Sequence, residues 1–590
     1  MSTKHWNYGE KDLVLSSLKG LVAATPSLAL LESSKVVLKT ANLHQNDKIT
    51  LISGGGSGHE PLHAGFVGSN LLDVAVAGSV FASPSTKQIY AGIKSTPSSK
   101  GTLIIVKNYT GDILHFGLAG ERAKSDPSIS APVELVIVDD DVAVGKQKNG
   151  LVGRRGLAGT MLVHKICGGE ATGHSLKHVA NLARNVAKNL VTVGASLDHC
   201  SVPGRAEDEA AEGVAANTVE IGLGIHNEPG VKKVSPLPSI DSLVSGLLDL
   251  LLDASDTDRH YVDFAADDEV VLLVNDLGGT SNLELYAVVD AVVSGLAVRA
   301  IKPARIYVGD FVTSLNAPGF SITLLNVSQV DSFTSTQILH LLDLPTDAPG
   351  WKIKTYDASH DLAGRLIHSD EIADHEVQSS LRVDGASFER VLRAGLANML
   401  SQEAKITHYD TIAGDGDCGE TLAAGAHGIL AALDKKTLQV QDPVWSLSQI
   451  TNIVEDSMGG TSGGLYSIFL SALVEALSSA SATELSVDLL ALSLKSALNS
   501  LYVYTKARTG DRTLIDTLAP FVETLYKTKS LDQAVEAAAK GTKSTAQLLA
   551  KFGRASYVAK EEFEKQEDGI PDPGAVGLYA LLEGFVSAKS

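Results

Sequence analysis

Cysteine is nearly missing from this chain: three residues, Cys167, Cys200 and Cys418, are scattered through 590. An odd, dispersed set cannot build a disulfide framework, and no CxxC pair points to structural zinc, so a reducing compartment is expected. Long apolar runs are missing too. No stretch of about 18 apolar residues is free of charge and turn residues, so no helical membrane span is expected. The opening "MSTKHWNYGEKD" has no apolar signal core and the closing "SAKS" is not an SKL-type address, which makes the cytoplasm the expected location. Cations are in deficit, with 49 Lys and Arg against 69 Asp and Glu, a formal net charge of −20. That balance argues against a general binder of nucleic acid or anionic membrane, which needs clustered Lys and Arg. It leaves room for one small phosphate compound. Finally, the P-loop motif GxxxxGK[ST] occurs nowhere, so any nucleotide must be held by other means.

What is present divides into two textures. The chain is too long for one hydrophobic core, and its 44% hydrophobic and 20% charged residues are those of a soluble globular protein. Residues 1–344 read as α/β. Short β-branched runs recur at 49–53, 102–107, 134–138, 191–195, 270–274 and 322–326, largely apolar rather than alternating, as in strands buried on both faces. A break near 180–195 divides this part into two subdomains. The segment 196–230, rich in Gly, Asp, His and Pro, reads as long loops. Residues 345–385 are polar and aperiodic and read as a linker. Residues 386–590 read as an all-α domain: Phe388, Val391, Leu392, Leu396, Met399 and Leu400 share one helical face, with Ser387 the expected N-cap. Only Pro443, Pro520, Pro571 and Pro573 interrupt these helices, and no internal repeat is evident.

The chemistry-bearing residues sit in glycine-punctuated loops. "HYDTIAGDGDCGETL" (408–422) crowds Asp410, Asp415 and Asp417 into eight positions, like charges that need a cation between them. Hard oxygen ligands so grouped suit Mg²⁺ or Ca²⁺, while Thr421 at the twelfth place excludes an EF-hand. A solvated acidic turn is the plain alternative. "MGGTSGG" (458–464), ahead of a helix, offers backbone N–H groups and two hydroxyls for phosphate oxygens. "TGDRTLID" (509–516), "GRASY" (553–557) and "PDPGAVG" (571–577) add three more such loops, and together with the aspartates they favour one Mg–nucleotide pocket. In the α/β half, "VKNYTGD" (106–112) puts Lys107 and Asp112 at the carboxyl edge of a strand, where open α/β sheets bind ligands. "ISGGGSGHEPLHAG" (52–65) looks at first like a phosphate loop but carries His59, Glu60 and His63. "IGLGIHNEPG" (221–230) sets His226 between glycines, where an ordinary loop histidine is an equally good reading; His63 and His199 read as ordinary core or loop residues.

Taken in order, "GGGSGHEP", "VKNYTGD", "GIHNEPG", "AGDGDCG", "MGGTSGG", "GRASY" and "DPGA" closely resemble the single-chain, ATP-dependent dihydroxyacetone kinases over nearly the full chain. The resemblance implies an N-terminal domain of two α/β subdomains that holds the ketone and a C-terminal eight-helix barrel that holds ATP and Mg²⁺. His226 would bind the carbonyl carbon as a hemiaminal. Gly56, Ser57, Gly58, His59, Lys107 and Asp112 match substrate-contact positions, with Asp112 and His59 the candidate general bases. Asp410, Asp415 and Asp417 would ligate Mg²⁺. Cys418, Gly419, Glu420, Thr421, Thr461, Ser462, Arg512, Thr513, Asp572, Pro573 and Gly574 map to the nucleotide loops, with Glu420 standing where relatives carry a small or hydroxyl residue. The resemblance further implies a homodimer in which one chain's nucleotide domain serves the other's ketone site, and D-glyceraldehyde as a second substrate. Its relatives supply two alternatives: FAD cyclisation at the nucleotide site, and non-catalytic carbonyl-binding regulation, against which the complete aspartate set argues.

Overall fold

The structure is a computed structural model that describes all residues except 1–4, 10, 44–46, 130, 148–152, 205–212, 354–376, 378, 550–568 and 589–590. The "GRASY" loop therefore lies outside the described residues. The chain divides into two compact units, Met1–Ile367 and His368–Ser590.

The first unit holds two six-stranded sheets. One contains β1 (Leu28–Leu31), β2 (Val36–Lys39), β3 (Thr50–Ser57), β4 (Val74–Val80), β5 (Thr102–Lys107) and β6 (Val133–Val138), in the order β1-β2-β4-β3-β5-β6. Strands β4, β3, β5 and β6 run parallel, and β1 and β2 extend the sheet antiparallel. The other contains β7 (Leu190–Ser196), β8 (Val219–Ile221), β9 (Lys232–Val234), β10 (Val270–Asp276), β11 (Pro303–Gly309) and β12 (Gly319–Asn326), ordered β11-β10-β12-β7-β8-β9. Here only β10 and β11 are parallel. The six strands expected from apolar runs are all present. Five of them are buried along nearly their whole length because helices cover both sides, whatever the strand direction, whereas β6, at a sheet edge, is only partly covered and leaves Ile137 exposed. Strand β8 lies inside the segment read as loops.

Two helices, Thr160–Glu170 and Leu176–Lys188, connect the sheets and fill a core common to both: Met161, Ile166, Val179 and Val186 pack with Leu103 and Ile105 of β5 and with Val271 and Leu273 of β10. Separate cores close the outer faces, around Ile104, Val106 and Phe116 on the first sheet and Leu247, Leu272 and Val292 on the second. Residues 345–353, the start of the segment read as a linker, are packed onto this unit. Trp351 is buried with its ring 5.5 Å from Tyr307 and 5.7 Å from Phe311, and Gly350 donates its N–H to the Gly65 carbonyl at 2.7 Å.

The second unit is all α. Among the described residues its helices span Gly385–Ser401, Glu403–Ala413, Cys418–Asp434, Pro443–Ser457, Gly460–Ser478, Val487–Tyr504, Ile515–Thr528, Leu531–Ser544 and Pro573–Ser587. The N-cap of the first is Asp384, whose carboxylate accepts the Ser387 N–H at 3.0 Å. Ser387 is thus inside the helix rather than its cap, because the helix already begins at Gly385 and Asp384 accepts the orphan N–H of its third residue. Asp442 and Asp572 cap helices that begin with a proline, whose fixed φ and missing N–H suit the first helical position. The helices surround an apolar cavity of about 560 Å³ lined by residues such as Phe388, Leu396, Leu422, Leu473, Leu518 and Phe585. Among the described residues no helix is long and apolar enough to cross a membrane.

Trp351→Ala is expected to lower the unfolding free energy of the first unit by about 3–5 kcal/mol, since it empties a large aromatic site between two rings. Urea denaturation followed by near-ultraviolet circular dichroism measures it, and an unchanged midpoint would remove residues 345–353 from the folded unit.

Candidate active sites

In the first unit the parallel strands β3 and β5 end side by side, and the residues at their carboxyl ends face one another. Lys107 closes β5 and Asp112 lies in the first turn of the helix Thr110–Lys124. Both are buried. A Cβ placed on Gly55 of β3 would lie 3.3 Å from Asp112 Oδ2, 3.5 Å from His63 Nε2 and 3.7 Å from Lys107 Nζ. The missing side chain thus leaves a small cradle lined by a carboxylate, an imidazole and an amine. Burial pulls the Lys107 ammonium down to about 8, against the charges of Asp112, Asp140 and Glu60. Burial raises the Asp112 carboxyl, opposed by Lys107 and by the Ser83 hydroxyl. Asp112 Oδ1 and the Tyr109 hydroxyl are buried with no hydrogen-bond partner in the protein, an arrangement that costs free energy unless a ligand supplies the partner.

His63 is fixed on both nitrogens. Ser53 Oγ donates to the Ile105 carbonyl at 2.6 Å and so receives the His63 Nδ1 proton at 3.0 Å, leaving His63 Nε2 to accept from Lys107 Nζ at 3.2 Å. Beside this group His59 and His226 meet Nε2 to Nε2 at 3.0 Å. His59 Nδ1 donates to the Thr313 carbonyl at 2.8 Å, and His226 Nδ1 donates to Glu228 at 2.9 Å. Burial works against the Glu228 carboxylate, but the His226 hydrogen bond and charge hold it down at about 2. With both Nδ1 atoms donating, neutral rings would face lone pair to lone pair, so the close contact requires one proton between the two Nε2 atoms. Burial, then the charges of Lys107 and His226, push His59 well below the usual imidazole range. The His226 ring is boxed edge-on by Tyr109 at 4.7 Å, His59 at 4.8 Å and Phe81 at 5.1 Å.

The glycine-rich turn acts partly as scaffold. Ser57 Oγ donates to the Gly78 carbonyl at 2.9 Å and the Gly58 N–H donates to Glu60 at 2.8 Å, so neither group points freely to a substrate. A Cβ on Gly56 would lie only 2.7 Å from the Ala82 nitrogen, so glycine there lets β3 run close against the Phe81–Ala82 backbone, with Phe81 stacked on His59.

In the second unit the three aspartates converge. One carboxylate oxygen from each of Asp410, Asp415 and Asp417 lies within 4.8 Å of the others. Asp410 is buried, and its Oδ2 accepts the backbone N–H groups of Gly416, Asp417 and Cys418 at 3.0, 2.9 and 3.0 Å. This bond set ties the loop to the start of the helix Cys418–Asp434 and leaves Asp415 and Asp417 exposed. An all-oxygen donor set with two solvent-facing carboxylates fits a hard cation such as Mg²⁺. Around it the other loops gather. The Cys418 thiol, raised to about 12 by burial and then by Asp410 and Asp572, hydrogen-bonds Ser462. Asp572 is raised to about 6 by burial, against its bond from the Ala575 N–H and the Arg512 charge. Asp516 accepts the Gly510 and Thr513 N–H groups at 2.5 and 2.9 Å and folds the 509–516 loop, in which Arg512 is buried and donates to the Ile570 carbonyl at 2.8 Å. Gly419 is buried beside Cys418, Pro573 and Gly574 open the last helix, and Glu420 and Thr461 are exposed, with Thr421 half-buried.

A Dak1 domain model matches residues 19–350 and a DAK2 domain model residues 412–587. The chain is 55% identical to the dihydroxyacetone kinase of Pichia angusta, over 100% of this chain and 99% of that protein. The chain belongs to the dihydroxyacetone kinase family. Within that family it is 37% identical to the human triokinase/FMN cyclase, over 97% of this chain and 96% of that one. The crystal structure of the C. freundii dihydroxyacetone kinase in complex with AMP-PNP and Mg²⁺ superposes with a TM-score of 0.65 at 29% identity, covering 99% of this chain and 100% of that one.

Against these family motifs, sequence reasoning passed over Phe81, Tyr109, Glu228 and Thr313 and treated His63 as an ordinary residue. Glu228 had a signal, two residues after His226 in one motif. Thr313 had none, standing 254 residues from His59.

The depressed Lys107 ammonium predicts a pH dependence of stability. Between about 8 and 10.5 the unfolded chain holds this proton and the folded chain does not, so the unfolding free energy rises with pH across that window on Lys107's account. Urea midpoints at a series of pH values should show the rise in the parent protein and lose it in Lys107→Met; parallel profiles for the two would remove the buried-amine assignment.

Proposed function

We propose that this chain is an ATP-dependent dihydroxyacetone kinase that phosphorylates its ketone while His226 holds the carbonyl carbon covalently. The observation that carries this reading is the His59–His226 pair, 3.0 Å apart, with one ring anchored on Glu228 and the other on Thr313. His59 takes the shared proton and frees the His226 Nε2 lone pair, which bonds to the carbonyl carbon. The carbonyl π pair moves to oxygen, which receives the proton from His59. The positive charge left on the substituted ring stays against the Glu228 carboxylate. Only a carbonyl compound can be captured so, which selects dihydroxyacetone, with D-glyceraldehyde as a second substrate, over glycerol.

The Gly55 cradle receives a terminal hydroxyl. Lys107 donates to the oxygen, and the unpartnered Asp112 Oδ1 accepts its proton as the oxygen attacks the γ-phosphorus and ADP departs with the broken bond's electron pair. The raised Asp112 carboxyl suits a general base better than an ordinary aspartate would. Asp410, Asp415 and Asp417 would hold Mg²⁺, which supplies charge neutralisation to the phosphates when bound. Cys418–Thr421, Thr461, Ser462, Arg512, Thr513 and Asp572–Gly574 line the nucleotide loops. A homodimer brings nucleotide and ketone together, in the cytoplasm. The human relative's name also includes FMN cyclase, so FAD is the second compound to assay.

His226→Ala should lower kcat/KM for dihydroxyacetone by about 100-fold or more, measured by coupled ADP release. Retention of the parent value would exclude covalent capture as that residue's role. Asp415→Asn should raise the Mg²⁺ concentration needed for half-maximal rate by about tenfold or more, and an unchanged Mg²⁺ titration would overturn the metal assignment.

A further inference from the structure

A second cluster of metal-ligating side chains lies outside both sites. Glu170 ends the helix Thr160–Glu170, His174 lies in the turn, and His178 is in the first turn of the helix Leu176–Lys188. The four-residue spacing brings both imidazoles to one carboxylate oxygen: His174 Nε2 is 3.3 Å and His178 Nε2 2.9 Å from Glu170 Oε1. The two rings are stacked, with centroids 4.6 Å apart and planes 17° apart. Phe333 packs against the second imidazole, its ring 5.3 Å from that of His178.

We infer that Glu170, His174 and His178 bind one transition-metal ion of the Zn²⁺ or Ni²⁺ class. Two imidazole nitrogens and one carboxylate oxygen form a donor set that such ions favour and that Mg²⁺ and Ca²⁺ do not. With metal–ligand bonds of about 2.0–2.1 Å, the edges of a tetrahedron are about 3.3 Å, close to the two donor separations here. All three donor atoms lie within 4.8 Å of one another, so rotation of the side chains that unstacks the two rings would bring them onto one ion. The His174 side chain is 45% exposed and Glu170's 15%, so water can complete the coordination shell on one side while the carboxylate is fixed on the other. The ion would clip together the two helices that fill the core common to both sheets, and its effect is stabilisation of the first unit rather than a part in phosphoryl transfer.

The test uses the full chain, stripped with a chelator and returned to millimolar Mg²⁺ so that the aspartate cluster is occupied. Titration with ZnCl₂ should show one tight site by calorimetry and raise the melting temperature by a few degrees, as binding to the folded state alone requires. Co²⁺ in place of Zn²⁺ should give the visible absorption of a low-coordinate nitrogen–oxygen site. His174→Ala, an exposed position, should keep the metal-free melting temperature and the kinase rate while weakening Zn²⁺ binding at least tenfold and abolishing the thermal shift and the Co²⁺ band. His178→Gln serves as the second variant with the same expectation. Absence of a tight site in the parent, or Zn²⁺ binding and thermal shift unchanged in both variants, overturns the assignment.

Discussion

Two imidazole nitrogens, 3.0 Å apart in space and 167 residues apart in sequence, organise the first unit. Each ring is oriented by an acceptor on its far nitrogen, and that orientation forces a single proton into the space between them. Much of the surrounding architecture follows from holding this contact. Gly56 admits the Phe81 segment, Phe81 stacks on His59, and Tyr109 closes the third side of His226. Such a pair would be useless in water, where either ring exchanges protons freely. Here His59 is buried and His226 half-buried, which restricts exchange of that proton with water.

The neighbouring cradle uses the same low-dielectric setting differently. Burial penalises charge on Lys107 and Asp112 alike, and each is partly rescued by the other. Lys107 is thus brought down to about 8 while the Asp112 carboxyl is raised from its ordinary value, which narrows the gap between donor and acceptor. The second unit takes the opposite course. Asp410 directs one carboxylate oxygen to three backbone N–H groups, which shapes the loop, while Asp415 and Asp417 stay exposed. Helices start beside this loop at Cys418 and elsewhere in the unit at Gly460 and Pro573.

Most of the layered organisation was legible from composition. The six apolar runs became β3, β5, β6, β7, β10 and β12, since continuous hydrophobicity needs both faces covered. The strands that escaped notice, β1, β2, β4, β8, β9 and β11, are short, carry polar or small residues, or lie toward sheet edges. Residues 345–353 read as linker because they have no period, yet one tryptophan anchors them through two rings. Ser387 read as a cap because nothing in the sequence ranks it below Asp384. At the sites the aspartate cluster, His226, His59, Lys107 and Asp112 stood out by residue type and glycine context, whereas Phe81, Tyr109 and Thr313 are ordinary residues made relevant by position.

The sequence by itself determined the division into an α/β part and an all-α part, because periodicity and apolar runs are local properties. It also placed the carboxylates and histidines in short motifs, since glycine turns and charge crowding act over a few residues. Only the tertiary structure decided which of these groups meet. His59 finds Thr313 and His226 through strand order, Glu228 rather than a distant carboxylate orients the His226 ring, and Gly55, rather than Gly56 or Gly58 of the same motif, opens the space beside Lys107 and Asp112. Those pairings depend on how strands cross and helices cover them, a long-range outcome that no local pattern encodes.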